Sequence, residues 1–201
     1  MLILLDCRPL FSEGLDSERT RFIFSAAEAL SRDKAVKWLF LTEKSSQTHL
    51  IPDLAGSSVL VHRAFPGRMG WRLWYDRLIP GLAKKHKVDW IMLTGGVAAA
   101  PAMMPGTSRT MMSRAIPQCL WMPGKANPAE GKGYLPLYAG RLRESLLRAA
   151  ILFCFSAADR SWLEGQVQGM DPAKFKVVSA WPSELVVPLS TTEKEVIKRQ
   201  Y

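Results

Sequence analysis

The chain has 201 residues, 48% of them hydrophobic, and carries a formal net charge of +9. This composition suffices for one domain with its own core. The sequence contains no run of about 18 uncharged apolar residues, so no transmembrane helix is predicted. The positive charge favours an anionic partner, whether acidic lipid, a phosphorylated ligand or nucleic acid. Three widely spaced cysteines lie in apolar stretches, as is typical of reduced core thiols in a cytosolic protein. No Cys or His spacing resembles a zinc site, so no metal is expected.

The first predicted unit is an apolar strand at 1–6, a glycine-containing loop and a helix over about 17–31. Ser17 is a candidate N-cap, and apolar residues recur at helical spacing after it. Strand, glycine loop and helix form the outline of a phosphate cradle, although a single glycine is not the GxGxxG motif. Gly14 and Leu15 are therefore candidate ligand contacts, with an ordinary turn as the alternative interpretation.

Strands predicted at 35–42 and 57–62 lead to a helix over 70–87, which Pro80 is expected to kink. Aromatic and aliphatic side chains recur at helical spacing on one stripe of this helix, and basic side chains lie off it. One interpretation is a stripe that faces the core; the other is a helix that docks on an anionic bilayer. The candidate membrane-facing residues are Trp71, Arg72, Trp74, Arg77, Lys84 and Lys85.

Three further strands end in candidate site residues. The strand at 88–94 runs into two glycines, which permit close approach of a ligand to the backbone, and the strand at 117–122 ends in Met-Pro. The apolar strand at 151–155 is followed by Ser156, a candidate N-cap that leaves free N–H groups at the sheet edge. An ordinary structural cap is the alternative there. The predicted cleft residues are Gly14, Leu15, Gly95, Gly96, Met122, Pro123 and Ser156.

Strands and helices alternate from residue 1 to about residue 180. This alternation predicts an α/β, Rossmann-like, doubly wound and mainly parallel sheet with helices on both faces. Residues 181–201 are expected to be an interdomain linker and the start of a connecting helix.

The stretch at 136–182 resembles the end of the N-terminal domain of family 4 (group 1) glycosyltransferases. The matching features are Arg148-Ala149-Ala150, the strand and serine at 151–156, and the run DPAKFKVV at 171–178. The opening strand and glycine loop, the helix RLWYDRLIPGLAKKHKVDWIML and the segment IPQCLWM match in the same order. One departure is that many relatives have a His-Asp pair where this chain has Met122-Pro123, so no catalytic residue is assigned.

This resemblance implies a GT-B enzyme, in which two Rossmann-like domains face each other across a cleft. Such enzymes transfer a sugar, with retention and without a metal, from a nucleotide-sugar to a saccharide or lipid-linked acceptor. Residues 1–180 would be the acceptor-side domain. The second domain, which usually holds the nucleotide-sugar through a Glu-x7-Glu motif, is absent from this chain, so the chain alone is expected to be inactive. No other cofactor is expected, and the implied location is cytoplasmic, with a peripheral position at the inner face of a membrane as a second expectation.

Two alternatives come from other classes of protein. One is a stand-alone Rossmann-like module for phosphorylated ligands, which is favoured if the gene ends near Tyr201. The other is a basic nucleic-acid-binding domain, whose affinity should fall steeply with salt. No recognisable nucleic-acid motif supports that alternative, so nucleic acid is not an expected partner.

Overall fold

The computed structural model describes residues 1–13, 18–103, 115–122, 135–165 and 169–178. Within these ranges seven strands form one sheet in the order β3-β2-β1-β4-β5-β6-β7, and each neighbouring pair is parallel. The strands are β1 (Leu2–Asp6), β2 (Lys37–Thr42), β3 (Ser58–Val61), β4 (Trp90–Leu93), β5 (Gln118–Trp121), β6 (Ile151–Cys154) and β7 (Phe175–Val177). The predicted fold class is confirmed.

Six α-helices are present in the same ranges: α1 (Arg8–Glu13), α2 (Glu18–Ser31), α3 (Gly67–Leu73), α4 (Ile79–Lys85), α5 (Leu135–Arg148) and α6 (Ala157–Glu164). A π turn (Trp74–Leu78) joins α3 to α4, and short 3₁₀ helices cover Ser45–Leu50 and Pro172–Lys174. The predicted linker and connecting helix at 181–201 lie outside the described residues, as do Gly14, Leu15 and Pro123.

Alternating side chains of the strands supply two separate cores. On β1, Leu4 packs on one face with the π turn, α4, α5 and α6, whereas Ile3 and Leu5 pack on the other face with α1 and α2. Successive residues of a strand point to opposite faces, so strands that are apolar at every position need helices on both sides. The sheet is therefore doubly wound, and its loops rather than its faces are open to ligands.

The sequence predicts a loop after β1, and this prediction is wrong for residues 8–13, which form α1. The Phe11 N–H donates to the Cys7 carbonyl at 3.3 Å, and Leu10 is fully buried. A helix of six residues is too short to be stable alone. Burial of Leu10 against the sheet therefore stabilises it, and the local pattern does not reveal this.

The interruption expected at Pro80 takes the form of the π turn just before it. Proline has no N–H to donate to the carbonyl four residues earlier, so the regular helical pattern cannot continue through this position. The Ile79 N–H instead bonds the Trp74 carbonyl, five residues back. Trp74 and Tyr75, at the start of the turn, are both buried against the sheet. π turns are frequently found at functional sites.

All three cysteines are free and buried, as the sequence predicts. Burial raises the pKa of Cys119 to about 12 and that of Cys154 to about 11, and it raises the pKa of Cys7 well above its ordinary value. Since the thiolate is the reactive form, these residues are packing groups. Across the described ranges, no helix is long and apolar enough to span a membrane. Among those same residues no group of His, Cys, Asp and Glu is arranged to hold a metal ion.

Candidate functional site

The strand order has its reversal between β1 and β4. Strands β2 and β3 lie to one side of β1, and β4 to β7 lie to the other. At such a reversal the loops leave the carboxyl ends in opposite directions and open a crevice, where sheets of this kind bind ligands. Asp6 pairs with Leu93 at this point, and the Thr94 hydroxyl donates to the Asp6 carbonyl at 2.8 Å. This hydrogen bond fixes the two loop starts relative to each other.

A group of polar and aromatic side chains lies at the end of β1; we call Asp6, Arg8, Glu43, Trp71 and Trp74 the switch-point cluster. The Asp6 side chain is fully buried. Its Oδ1 accepts hydrogen bonds from the Trp74 indole N–H at 3.0 Å and from the Arg8 backbone N–H at 3.3 Å. Its Oδ2 is buried without a hydrogen-bond partner within the described part of the chain. Asp6 therefore anchors Trp74 and the start of α1.

Burial raises the pKa of the Asp6 carboxyl to about 6 from its ordinary 3.8. The side chains of Trp74 and Tyr75, the Arg8 backbone amide and the Arg8 charge all act in the opposite direction, but they do not offset the loss of hydration. A carboxyl with a pKa near 6 changes its charge close to neutral pH. Shifted carboxyls of this kind are commoner at functional sites than elsewhere.

Arg8 connects β1, β2 and α3. Its guanidinium carbon lies 3.8 Å from the centroid of the Trp71 ring and 5.0 Å from that of Trp74, and its Nε lies 2.8 Å from Glu43 Oε2. The side chain is 7% exposed, and Nη1 is buried without a hydrogen-bond partner among the residues described. Stacking on tryptophan and pairing with a carboxylate together compensate for burying this charge. Arg8 thereby fixes the position of Glu43.

An open groove of about 620 Å³ adjoins the cluster at the carboxyl ends of β2 and β3. Glu43 is common to the groove and to the switch-point cluster. The turn after β2 is fixed by Gln47, whose Oε1 accepts hydrogen bonds from the Thr42 hydroxyl at 2.5 Å and the Lys44 backbone N–H at 3.3 Å. The other lining residues include Lys44, Val61, Arg63 and Phe65. The groove wall therefore carries the Glu43 carboxylate, which Arg8 fixes in place, together with two cations and an aromatic ring.

The structure places the predicted cleft residues Gly95, Gly96, Met122 and Ser156 after the carboxyl ends of β4, β5 and β6, at one edge of the sheet. Gly95 and Gly96 are buried beside Thr94, and Gly96 has φ +66, a conformation that favours glycine. That these loops line one cleft with Gly14, Leu15 and Pro123 stays a prediction, since those three lie outside the described residues.

Met122 and Ser156 have structural partners. Met122 is fully buried in the core, and its backbone N–H donates to the Phe153 carbonyl at 2.9 Å, so this residue is a packing group. Ser156 is the N-cap of α6: its Oγ accepts from the Asp159 backbone N–H at 3.0 Å and donates to Asp159 Oδ2 at 2.7 Å. The structure thus shows the capping role that the sequence offers as the alternative to ligand binding.

The predicted membrane-facing helix places Trp74 inside the protein and leaves Trp71 partly exposed. Trp74 is 1% exposed, and Trp71 is half-buried, stacked on Tyr75 with 6.0 Å between ring centroids. Trp74 therefore does not present its ring to a membrane, because its N–H is used by Asp6 and its ring is covered by the core. The remaining candidates Arg72, Arg77, Lys84 and Lys85 are exposed.

The sequence analysis does not identify Asp6, Arg8 or Glu43 as site residues. One available signal is the carboxylate that ends the first apolar strand, at the position where doubly wound sheets open their crevice. The pairing of Arg8 with Glu43 joins the start of α1 to the residue that follows β2. No sequence spacing reveals such a pair.

No family model and no curated protein sequence matches the chain. Among solved structures, UDP-GlcNAc 2-epimerase from Methanocaldococcus jannaschii is similar, with a TM-score of 0.51 and 13% identity over 88% of this chain. UDP-N-acetylglucosamine 2-epimerase from Rickettsia bellii gives a TM-score of 0.47 and 12% identity over 87% of this chain. The chain spans less than half of each, 44% and 43% respectively. The first likeness shows a shared fold, in agreement with the Rossmann-like sheet described above.

Proposed function

We propose that this chain is the acceptor-side domain of an enzyme that takes a sugar from a nucleotide-sugar and transfers it to a saccharide or lipid-linked acceptor. The observation that carries the proposal is the switch point between β1 and β4, where buried polar groups meet two loop glycines at the carboxyl edge of the sheet. That edge is where sheets of this class bind their ligands.

The groups at this edge suit a polyhydroxylated ligand. Saccharides are held mainly by hydrogen bonds to backbone groups and fixed polar side chains, which a pre-formed pocket supplies without reorganisation. The Thr94 to Asp6 hydrogen bond holds the two loop starts, and Gly96, at φ +66, permits the turn that follows β4. Asp6 is buried beneath this edge, so we assign it a positioning role: it holds Trp74 and the start of α1.

The nucleotide-sugar would be held mainly by a second domain. Two observations support this part of the proposal: the chain covers 44% of the UDP-GlcNAc 2-epimerase whose fold it shares, and the stretch at 136–182 resembles family 4 glycosyltransferases. That family resemblance further implies a retaining, metal-independent transfer. A second candidate function is a reaction of UDP-sugars other than transfer, such as the 2-epimerisation for which the Methanocaldococcus jannaschii enzyme is named. This candidate rests on the shared fold.

The proposal is tested by binding and turnover measurements on the 201-residue chain. Isothermal titration with a panel of saccharides and nucleotide-sugars should show saccharide binding and weaker nucleotide-sugar binding, with no transfer or hydrolysis product by mass spectrometry. Turnover by the chain alone would overturn the acceptor-domain proposal. Tight binding of nucleotide-sugars with no saccharide binding would favour the alternative of a module for phosphorylated ligands.

A further inference from the structure

The groove at the ends of β2 and β3 combines three kinds of group in one place. We propose that it is a binding site for a phosphorylated vicinal diol, the chemistry shared by a ribonucleotide and a sugar phosphate. This proposal does not rest on the proposed function, because it concerns different strand ends and a different ligand chemistry.

The carboxylate of Glu43 would accept the diol. Its Oε2 is occupied by Arg8 Nε at 2.8 Å, and its Oε1 lies 4.0 Å from Lys44 Nζ, beyond hydrogen-bond distance. The Arg8 charge is itself buried against Trp71. Glu43 is thus fixed through one oxygen by a buried cation, and the residue itself lines the groove. A carboxylate at the end of the second strand is the group that accepts ribose hydroxyls in other doubly wound sheets.

The cations of the groove would hold the phosphate. Lys44 follows closely after β2, and Arg63 follows closely after β3. Both are exposed and line the groove together with Ser45 and Ser46. A guanidinium and an ammonium that line one groove can both contribute to binding a phosphate, and hydrogen bonds between charged groups are stronger than neutral ones. Among the described residues of this lining Glu43 is the one acidic side chain, and Arg8 and Lys44 face it.

An apolar surface completes the groove. Phe65 is 67% exposed and Val61 43% exposed, although both are large hydrophobic residues next to the charged wall. A base or a sugar ring could pack on this surface. The groove volume of about 620 Å³ lies within the range of about 300–1,000 Å³ that is usual for small-molecule sites.

The test compares matched ligands by isothermal titration of the 201-residue chain. Uridine 5′-monophosphate and 2′-deoxyuridine 5′-monophosphate differ only in the diol, inorganic phosphate supplies the anion alone, and glucose 1-phosphate is the sugar-phosphate arm. We expect UMP to bind about tenfold more tightly than dUMP, since a hydrogen bond to a charged group has about this effect. Comparing UMP with glucose 1-phosphate then shows which source of the diol the groove prefers.

Three variants locate the binding. Glu43→Gln should abolish the difference between UMP and dUMP, and Arg63→Gln should weaken every phosphate ligand about tenfold. Lys34→Gln is the matched control: it removes an exposed cation just before β2 begins, at the opposite edge of the sheet, and should change nothing. Because Arg63 is exposed, its replacement is not expected to disturb folding.

Several results would overturn the proposal. They are equal affinity for UMP and dUMP, equal affinity for inorganic phosphate and UMP, or no binding at about 10 mM ligand, a concentration that detects even weak sites. Binding to phosphatidylglycerol vesicles that Arg63→Gln abolishes, and that UMP and glucose 1-phosphate do not displace, would overturn it as well, because the exposed Phe65 and the cations of the groove would then serve a lipid surface. Saccharide binding without phosphate-ligand binding would reject this inference and leave the proposed function standing.

Discussion

Replacing Asp6 with asparagine should remove a pH-dependent cost of folding. The carboxyl is fully buried, and its pKa is raised to about 6 from 3.8. A raised pKa means that the folded state binds the proton more tightly than the unfolded state. The associated stability is therefore fully present below pH 3.8 and is lost as the pH rises through about 6. Asparagine has nearly the same shape and can still accept the Trp74 N–H, but it carries no charge at any pH.

The magnitude follows from the two pKa values. Moving a carboxyl from pKa 3.8 to about 6 corresponds to about 3 kcal/mol. We therefore expect the free energy of unfolding of Asp6→Asn, measured relative to that of the natural sequence, to be larger (more stable) by about 3 kcal/mol near pH 7.5 than near pH 3.5. Comparing one pair of proteins at two pH values cancels the difference in shape and hydrogen bonding between the two side chains.

Urea denaturation followed by tryptophan fluorescence measures this quantity, since the chain has seven tryptophans. Asp53→Asn, at an exposed aspartate, is the control for loss of a carboxylate at the surface. A relative stability of Asp6→Asn that is the same at both pH values would refute the reasoning, because it would mean that burial does not shift this carboxyl.

Three further predictions concern the cap, the indole and the basic helix. Ser156→Ala should lower the free energy of unfolding by about 1 kcal/mol, because the Ser156 hydroxyl caps the Asp159 N–H at 3.0 Å; unchanged stability in urea would contradict this. Trp74→Phe removes a donor to the charged form of Asp6, so carbon-detected NMR titration should show the Asp6 pKa rising further, and a fall would contradict it. The exposed basic side chains at 72–85 should make the chain co-sediment with phosphatidylglycerol vesicles at low salt. About 0.5 M salt should abolish this co-sedimentation, because the attraction is electrostatic and Trp74 is not free to insert into the bilayer. Vesicle binding that survives the salt would contradict this prediction.

Much of the fold is readable from the sequence because a parallel, doubly wound sheet is encoded locally. Each strand with a continuous apolar run, such as 38–41 in β2, must be covered on both sides, and each helix between strands carries one apolar stripe. These patterns give the order of the elements and their alternation. They do not give α1, whose six residues are stabilised by the burial of Leu10 against the sheet.

The site is harder to predict, because its groups come from separate parts of the chain. The aromatic stripe at 71–75 favours a core, but its sequence is also consistent with a membrane surface. The contact between Trp74 and Asp6, 68 residues away along the chain, shows that Trp74 belongs to the core. Arg8 looks like an ordinary loop cation in the sequence, and its stacking on Trp71 and pairing with Glu43 depend on how β1, β2 and α3 meet. Spacing along the chain contains no such information.

Chemical-shift mapping of the ¹⁵N-labelled chain with acceptor saccharides tests the proposed function most directly. The proposal predicts that the largest changes fall on backbone amides at the switch point, around Asp6, Thr94, Gly95 and Gly96, and that they saturate with saccharide concentration. Nucleotide-sugar added alone should give smaller changes there. Changes centred on the amino-terminal edge of the sheet, or no change with any saccharide, would contradict an acceptor site at this point.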